Sequence, residues 1–430
     1  MRQRTMISAH KVAGLLIAAT AVLTGCGSSK TASVVPSPTL QVGLSSPPPA
    51  GPVNTYEGAQ SPGAWSFALD DTSNSFSYQA VTYPSAAVSG NVTNAGGFKQ
   101  LGTAGYALEV QGRAAIIRPG DSTTPPVFAV PQSACYAITG RLRFQYIGMQ
   151  TGPDGSVGAS GPTLGYGSVV ASTDSTGKAW QFLDLQGNIV SGPGSFTGTC
   201  NATNSNAAIA LTGQTLLDNL WPPDGTNQAA PTPGTQSSLW IGPSGFFVAD
   251  QSDPTTSSPT GASVAGVAEP AAAINTTDLE SQQYLGFLYE PATIPYGGVT
   301  ASPVVTSPIA FGQVSSTVGT MTGGAYPNDD ITQTPNSDIQ VSLSTQDTTY
   351  NGLYLSASVT VLDPQQNCAN YTGSGERATS GINALGYFTC TFAGVAVAGN
   401  PEGKYAVFVS TYNWATQLGG APMQMYLFQQ

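Results

Sequence analysis

From about residue 55 to the end of the chain, apolar and polar side chains alternate at every second position in short runs that Gly, Pro, Asn or Asp cut off. A period of two places successive side chains on opposite faces of an extended strand, whereas an amphipathic helix needs 3.6. Tyr106–Val110, Cys135–Ile147, Ala179–Leu185 and Ser237–Ile241 are the clear cases, with Leu353–Leu362 and the short apolar run Lys404–Thr411 among the others. Roughly sixteen to twenty such runs are expected, with turn residues between them and none of the alternating helices that parallel crossovers require. The expected fold class is therefore all-β and antiparallel. It is a large barrel or sandwich, in one piece or as two packed sub-domains that break near 222–236. A β-propeller is the alternative, but Gly-aromatic steps at Gly245, Gly286 and Gly386 recur at unequal intervals. Helical turns are expected only at Thr215–Leu220 and Thr276–Gln283. Asn351-Gly352 marks a tight hairpin, and Asp250–Ala262 reads as a longer hairpin connection.

The first 26 residues carry a different signal. Arg2, Arg4 and Lys11 precede an apolar stretch, Val12–Val22, that is too short to span a bilayer as a mature helix. Leu23-Thr24-Gly25-Cys26 follows, and this segment resembles the lipobox of bacterial lipoproteins. The resemblance implies a signal peptide over 1–25, cleavage before Cys26 and acylation of Cys26, palmitate included. It implies a cell-envelope protein, in the outer membrane if the cell has two membranes, because Gly27 stands where an Asp would resemble the retention signal. Residues 26–54 then form a tether rich in Pro and Ser, spanning roughly 30 Å as a flexible coil. The folded domain is expected over 55–430.

Processing of this kind would remove His10, the only histidine. The mature chain would then hold no Ser-His-Asp triad, Cys-His pair or His-ligated zinc. Removing Arg2, Arg4 and Lys11 from 12 basic residues leaves nine against 23 acidic ones, a net charge near −14. Nucleic acid is not an expected partner, since its affinity rests on clustered Lys and Arg. Arg141 and Arg143 share one strand face, expected to be the solvated one. Four further cysteines suit an oxidising compartment, and proximity favours Cys135–Cys200 and Cys368–Cys390 among the three connectivities. In the chain-entropy model each bridge is worth about 3 to 4 kcal/mol.

No nucleophile elbow, phosphate-binding loop or zinc-protease motif is present. Two carboxylates remain the one acid/base option, and Glu269 and Glu290, each before a proline at the end of an apolar run, are the candidates. Asn328, Asp329, Asp330, Asn336 and Asp338 share one Gly/Pro loop and are candidate calcium ligands, calcium being the only cofactor considered. The same residues also serve turns. Trp221 and Trp414 fall in loops and are candidate ligand contacts. Two functions are left open: a non-enzymatic envelope lipoprotein that binds a glycan or protein through the loops of a β-scaffold, and a carbohydrate-active hydrolase using two carboxylates.

Overall fold

The computed structural model describes residues 53–60, 63–81, 86–110, 112–120, 125–131, 141–151, 163–172, 179–183, 196–200, 209–212, 236–242, 245–252, 261–279, 282–290, 305–315, 319–362, 368, 378–412 and 423–430. Strands run through nearly all of it, joined by isolated 3-10 turns, and every ladder is antiparallel. They fall into three modules that follow one another along the chain.

The first module holds β1 (Val53–Gln60), β2 (Gly63–Asp70), β3 (Ser75–Ala80), β4 (Val88–Asn91), β5 (Thr93–Ala95), β6 (Phe98–Gln100), β7 (Gly105–Val110), β8 (Ala114–Pro119) and β9 (Val127–Pro131). Their order is β4-β3-β2-β1-β9-β8-β7-β6-β5. The two edge strands, β4 and β5, are separated by Val92 alone. One residue reaches only about 7 Å between its neighbouring Cα atoms, so the end of one edge strand meets the start of the other and the sheet is rolled. Tyr56, Phe67, Leu69, Phe76 and Ile117 fill the roll.

The second module is a closed eight-stranded barrel. Its strands are β10 (Arg141–Thr151), β11 (Thr163–Ser172), β12 (Ala179–Leu183), β13 (Phe196–Cys200), β14 (Ile209–Thr212), β15 (Gln236–Ile241), β16 (Phe246–Ser252) and β17 (Gly261–Ala268). Pairing of β10 with β17 closes the ring.

The third module comprises β18 (Tyr284–Glu290), β19 (Val305–Ser315), β20 (Thr320–Ala325), β21 (Ile339–Gln346), β22 (Leu353–Leu362), β23 (Ala378–Ile382), β24 (Phe388–Gly399), β25 (Ala406–Thr411) and β26 (Gln424–Gln429). Here β18 pairs with β26, and an additional β22–β24 ladder closes eight of the nine strands into a ring. The ninth, β23, hairpins onto the part of β24 that β25 does not cover.

The modules share one core. Phe128 of the first, Phe246 of the second, and Phe408, Tyr426 and Phe428 of the third meet with ring centroids 5.1 to 6.2 Å apart. A strand sandwiched between its own barrel interior and this junction is buried on both faces and loses its polar alternation. β25 shows the result. Val407 and Val409 point into the third barrel, Phe408 points to the junction, and all six residues are buried.

All-β architecture and antiparallel pairing agree with the sequence, and barrels rather than radial blades replace the propeller alternative. Several details differ. The described residues contain 26 strands, more than expected, because short segments such as VSGN, TNA and FKQ carry no apolar alternation. The segment 222–236 lies between β14 and β15, which pair within the same barrel. The chain changes module instead between β9 and β10 and between β17 and β18. Thr276–Gln283 supplies a single 3-10 turn, Thr276–Leu279, and Thr215–Leu220 lies outside the described residues. The Asn351-Gly352 hairpin is also wider than two residues. Asp347 already starts the turn by accepting the Thr349 and Tyr350 amides, and Gly352, at φ +78°, ends it.

Candidate functional site

The sequence places Arg143 on a solvated strand face; the fold buries it. Phe144 and Tyr146 turn into the second barrel and pack on Phe247, so Arg143, Gln145 and Ile147 face outward toward the third module. Arg143 is 3% exposed and Glu269 2%. Their Nε and Oε2 atoms lie 3.3 Å apart, an ion pair whose angle does not make a hydrogen bond. The guanidinium also lies 4.7 Å from the centroid of the Tyr350 ring and donates to Ser168 Oγ at 3.3 Å. Glu269 Oε1 accepts the Asn351 amide at 2.9 Å, and Gln145 Nε2 donates to the Asn351 carbonyl at 3.3 Å. Glu269, the catalytic candidate, thus fastens the β21–β22 turn to the second barrel. Glu290 ends β18, and its side chain lies outside the described residues.

The same construction joins the first module to the third. Arg118 of β8 pairs with Asp329 at 2.5 Å and lies 4.9 Å from the Tyr106 ring centroid, while the Tyr106 hydroxyl donates to the Asp329 carbonyl at 2.8 Å. These contacts hold Asn328 and Asp329 in consecutive left-handed conformations, φ +55° and +58°. Such backbone persists only where its surroundings over-determine it.

The aspartates of the calcium loop are therefore occupied separately. Asp329 belongs to Arg118. Asp330 accepts Thr332 Oγ1 at 2.6 Å, Gln333 Nε2 at 2.9 Å and the Thr332 amide, and the first of these contacts, with the others, holds its pKa below the ordinary carboxylate value. Asp338 is half-buried with Oδ1 lacking a hydrogen bond, and burial raises its pKa. Asn336 donates its amide to the Ala325 carbonyl. Among the described residues no group of three or more His, Cys, Asp or Glu side chains gathers into a metal site.

Within the first module, Lys99 lies between Asp71 and Glu109, and Glu109 also accepts the Tyr56 hydroxyl and Asn54 Nδ2. Burial alone would lower the Lys99 pKa, but the two carboxylates more than offset it and the value is raised.

Cys368 and Cys390 form a disulfide with Cα atoms 5.5 Å apart. Cys26, Cys135, Trp221 and Trp414 lie outside the described residues, as does the side chain of Cys200 at the end of β13. The expected bridge ties Cys368, upstream of β23, to Cys390 in the stem of the β23–β24 hairpin, and it is the hairpin's tip that sequence reasoning passed over. Among the described residues, five large apolar side chains are exposed, and four belong to this hairpin or the adjacent end of β22: Ile382 (64%), Leu385 (79%), Tyr387 (59%) and Leu362 (40%). At the tip, Asn383 Oδ1 accepts the Leu385 and Tyr387 amides, Asn383 N donates to the Tyr387 carbonyl, and Gly386, at φ +83°, donates to the Asn383 carbonyl. The legible signal was a turn whose flanks are apolar inside a stretch without charge.

No protein-family model matches the chain, and no curated protein does. Among solved structures, the chain is similar to transferrin-binding protein B, a vaccine antigen from Haemophilus parasuis Hp5. Identity is 8% and the TM-score 0.29, over 88% of this chain and 76% of that one. Isotype 1 transferrin-binding protein B from serogroup B Neisseria meningitidis gives 9% identity and a TM-score of 0.26, covering 86% of this chain and 65% of that one. Intact Ap-TbpB, with N and C lobes, gives 8% and 0.24, covering 90% and 79%. Likenesses with such scores assign no role to any residue of this chain.

Proposed function

We propose that the chain is a cell-envelope lipoprotein, anchored through Cys26, that binds a protein ligand through the loops of a rigid β-scaffold and performs no catalysis. The observation that carries this reading is the commitment of three acids to cationic partners. Glu269, Glu109 and Asp329 are each paired with an arginine or lysine and a neighbouring hydrogen-bond donor or ring; the Glu269 and Asp329 pairs fasten one module to another and the Glu109 pair braces the first module, which are structural uses of a carboxylate. What the scaffold offers to a partner is its connections. Those between β14 and β15 (213–235) and between β25 and β26 (412–423) are long for antiparallel neighbours and carry Trp221 and Trp414. Connections of that length in a tightly paired fold are usually functional.

The test uses the purified full chain. Glycan, ester and peptide panels should show no turnover, and a ligand protein captured by cross-linking should rebind the purified chain. Trp221→Ala and Trp414→Ala should weaken that rebinding without changing the β-type circular dichroism spectrum. Glycan hydrolysis abolished by Glu269→Gln or Glu290→Gln would replace this reading with the hydrolase one.

A further inference from the structure

We infer that the tip of the β23–β24 hairpin inserts into the interfacial layer of a lipid bilayer, giving the molecule a membrane contact separate from its lipid anchor. No residue from Ala378 to Pro401 is charged, in a chain carrying 23 acidic and 12 basic residues. Within that stretch Ile382, Leu385 and Tyr387 project into solvent. Exposed apolar side chains scattered singly need no explanation, but a concentration on one tip marks an interaction site.

Hydrogen bonding at the tip favours lipid over a protein partner. A backbone amide entering an apolar layer without a partner is costly, so a segment that dips into lipid must satisfy its own amides. The amides of Asn383, Leu385, Gly386 and Tyr387 are all spent within the turn. A partner that docked by adding hydrogen bonds at the tip would find these donors already used. The Cys368–Cys390 bridge and the β22 ladder hold the stem, so little order is lost on insertion. Tyrosine, with an apolar body and a polar hydroxyl, suits the headgroup boundary, and Leu385 at the apex suits greater depth. Because the tip has no basic residue, its insertion depends on neither anionic lipid nor low salt.

The full chain carrying Leu385→Cys, labelled with a polarity-sensitive fluorophore, tests this in phosphatidylcholine vesicles. The native sequence labelled in parallel gives the background, and Val81→Cys in the first module is the control for proximity to the anchor. The probe at 385 should shift to the blue and be quenched severalfold more strongly by lipid-borne nitroxide than the probe at 81. The shift should persist in high salt and be lost when Ile382→Asp is added. A probe at 385 that stays in water-like emission on vesicles overturns the inference. So does a shift that requires anionic lipid, or one produced by envelope protein without lipid, the last assigning the tip to a protein socket. None of these outcomes bears on loop-mediated ligand binding, which Trp221→Ala and Trp414→Ala read separately.

Discussion

Replacing Arg143 by Met should loosen the second barrel from the third. At 3% and 2% exposure, Arg143 and Glu269 have almost no solvent to screen either charge. Losing one member of such a pair strands the other, at about 3 to 5 kcal/mol. The low end applies here, because Glu269 keeps the Asn351 amide on Oε1. We therefore expect a loss of about 3 kcal/mol from the first urea transition of the full chain, followed by tryptophan fluorescence. Glu269→Gln retains the Asn351 acceptor and removes the charge. The double variant, Arg143→Met with Glu269→Gln, leaves no orphaned ion and should recover at least about 1 kcal/mol relative to the sum of the singles. Two results would refute the reasoning: an Arg143→Met loss within about 0.5 kcal/mol of zero, the range of ordinary surface changes, or strict additivity in the cycle.

Reduction of Cys368–Cys390, or Cys390→Ala, should cost about 3 kcal/mol for a loop whose ends are 22 residues apart, measured by urea unfolding with and without reductant. Asp338→Asn should stabilise the chain at neutral pH. Burial raises the folded pKa of Asp338, so its contribution is fully present below the ordinary carboxylate value and is lost as pH rises through the folded one. The melting-temperature gain should accordingly shrink toward zero as the solution is acidified, and a gain that grows with acid would reverse the sign. Cys26→Ser should abolish lipid labelling and release the protein from membranes; unchanged membrane partition would remove lipidation from the account.

Strand positions were legible in longer alternating runs with one face in solvent, such as Leu353–Leu362, whose observed limits match the alternation. Runs buried on both faces, such as β25, still read as strands from β-branched and aromatic content. Ring closure was not legible, because it depends on pairs such as Phe144 with Ala268 that lie far apart in sequence. Arg143 was misplaced for a related reason: period two assigns it a face but cannot say that a third module covers that face. Glu269 drew notice as a carboxylate at a strand end, and its arginine lies 126 residues upstream by residue number. The hairpin tip was missed because its legible signal, a turn with apolar flanks in an uncharged stretch, also fits a buried strand end until its exposure is known.

In each module the first strand pairs with the last: β1 with β9, β10 with β17, β18 with β26. A chain delivered from its N-terminus can therefore close one module before the next has arrived. The shared aromatic junction cannot follow that schedule. Phe128 and Phe246 are delivered early, yet Phe428, two residues from the end, is among the rings that cover them. Until its last strand arrives the chain carries finished modules with an uncovered aromatic face, an interval in which it is most vulnerable to self-association. A truncation that removes only β26 would make that interval permanent, exposing this face as well as opening the third ring.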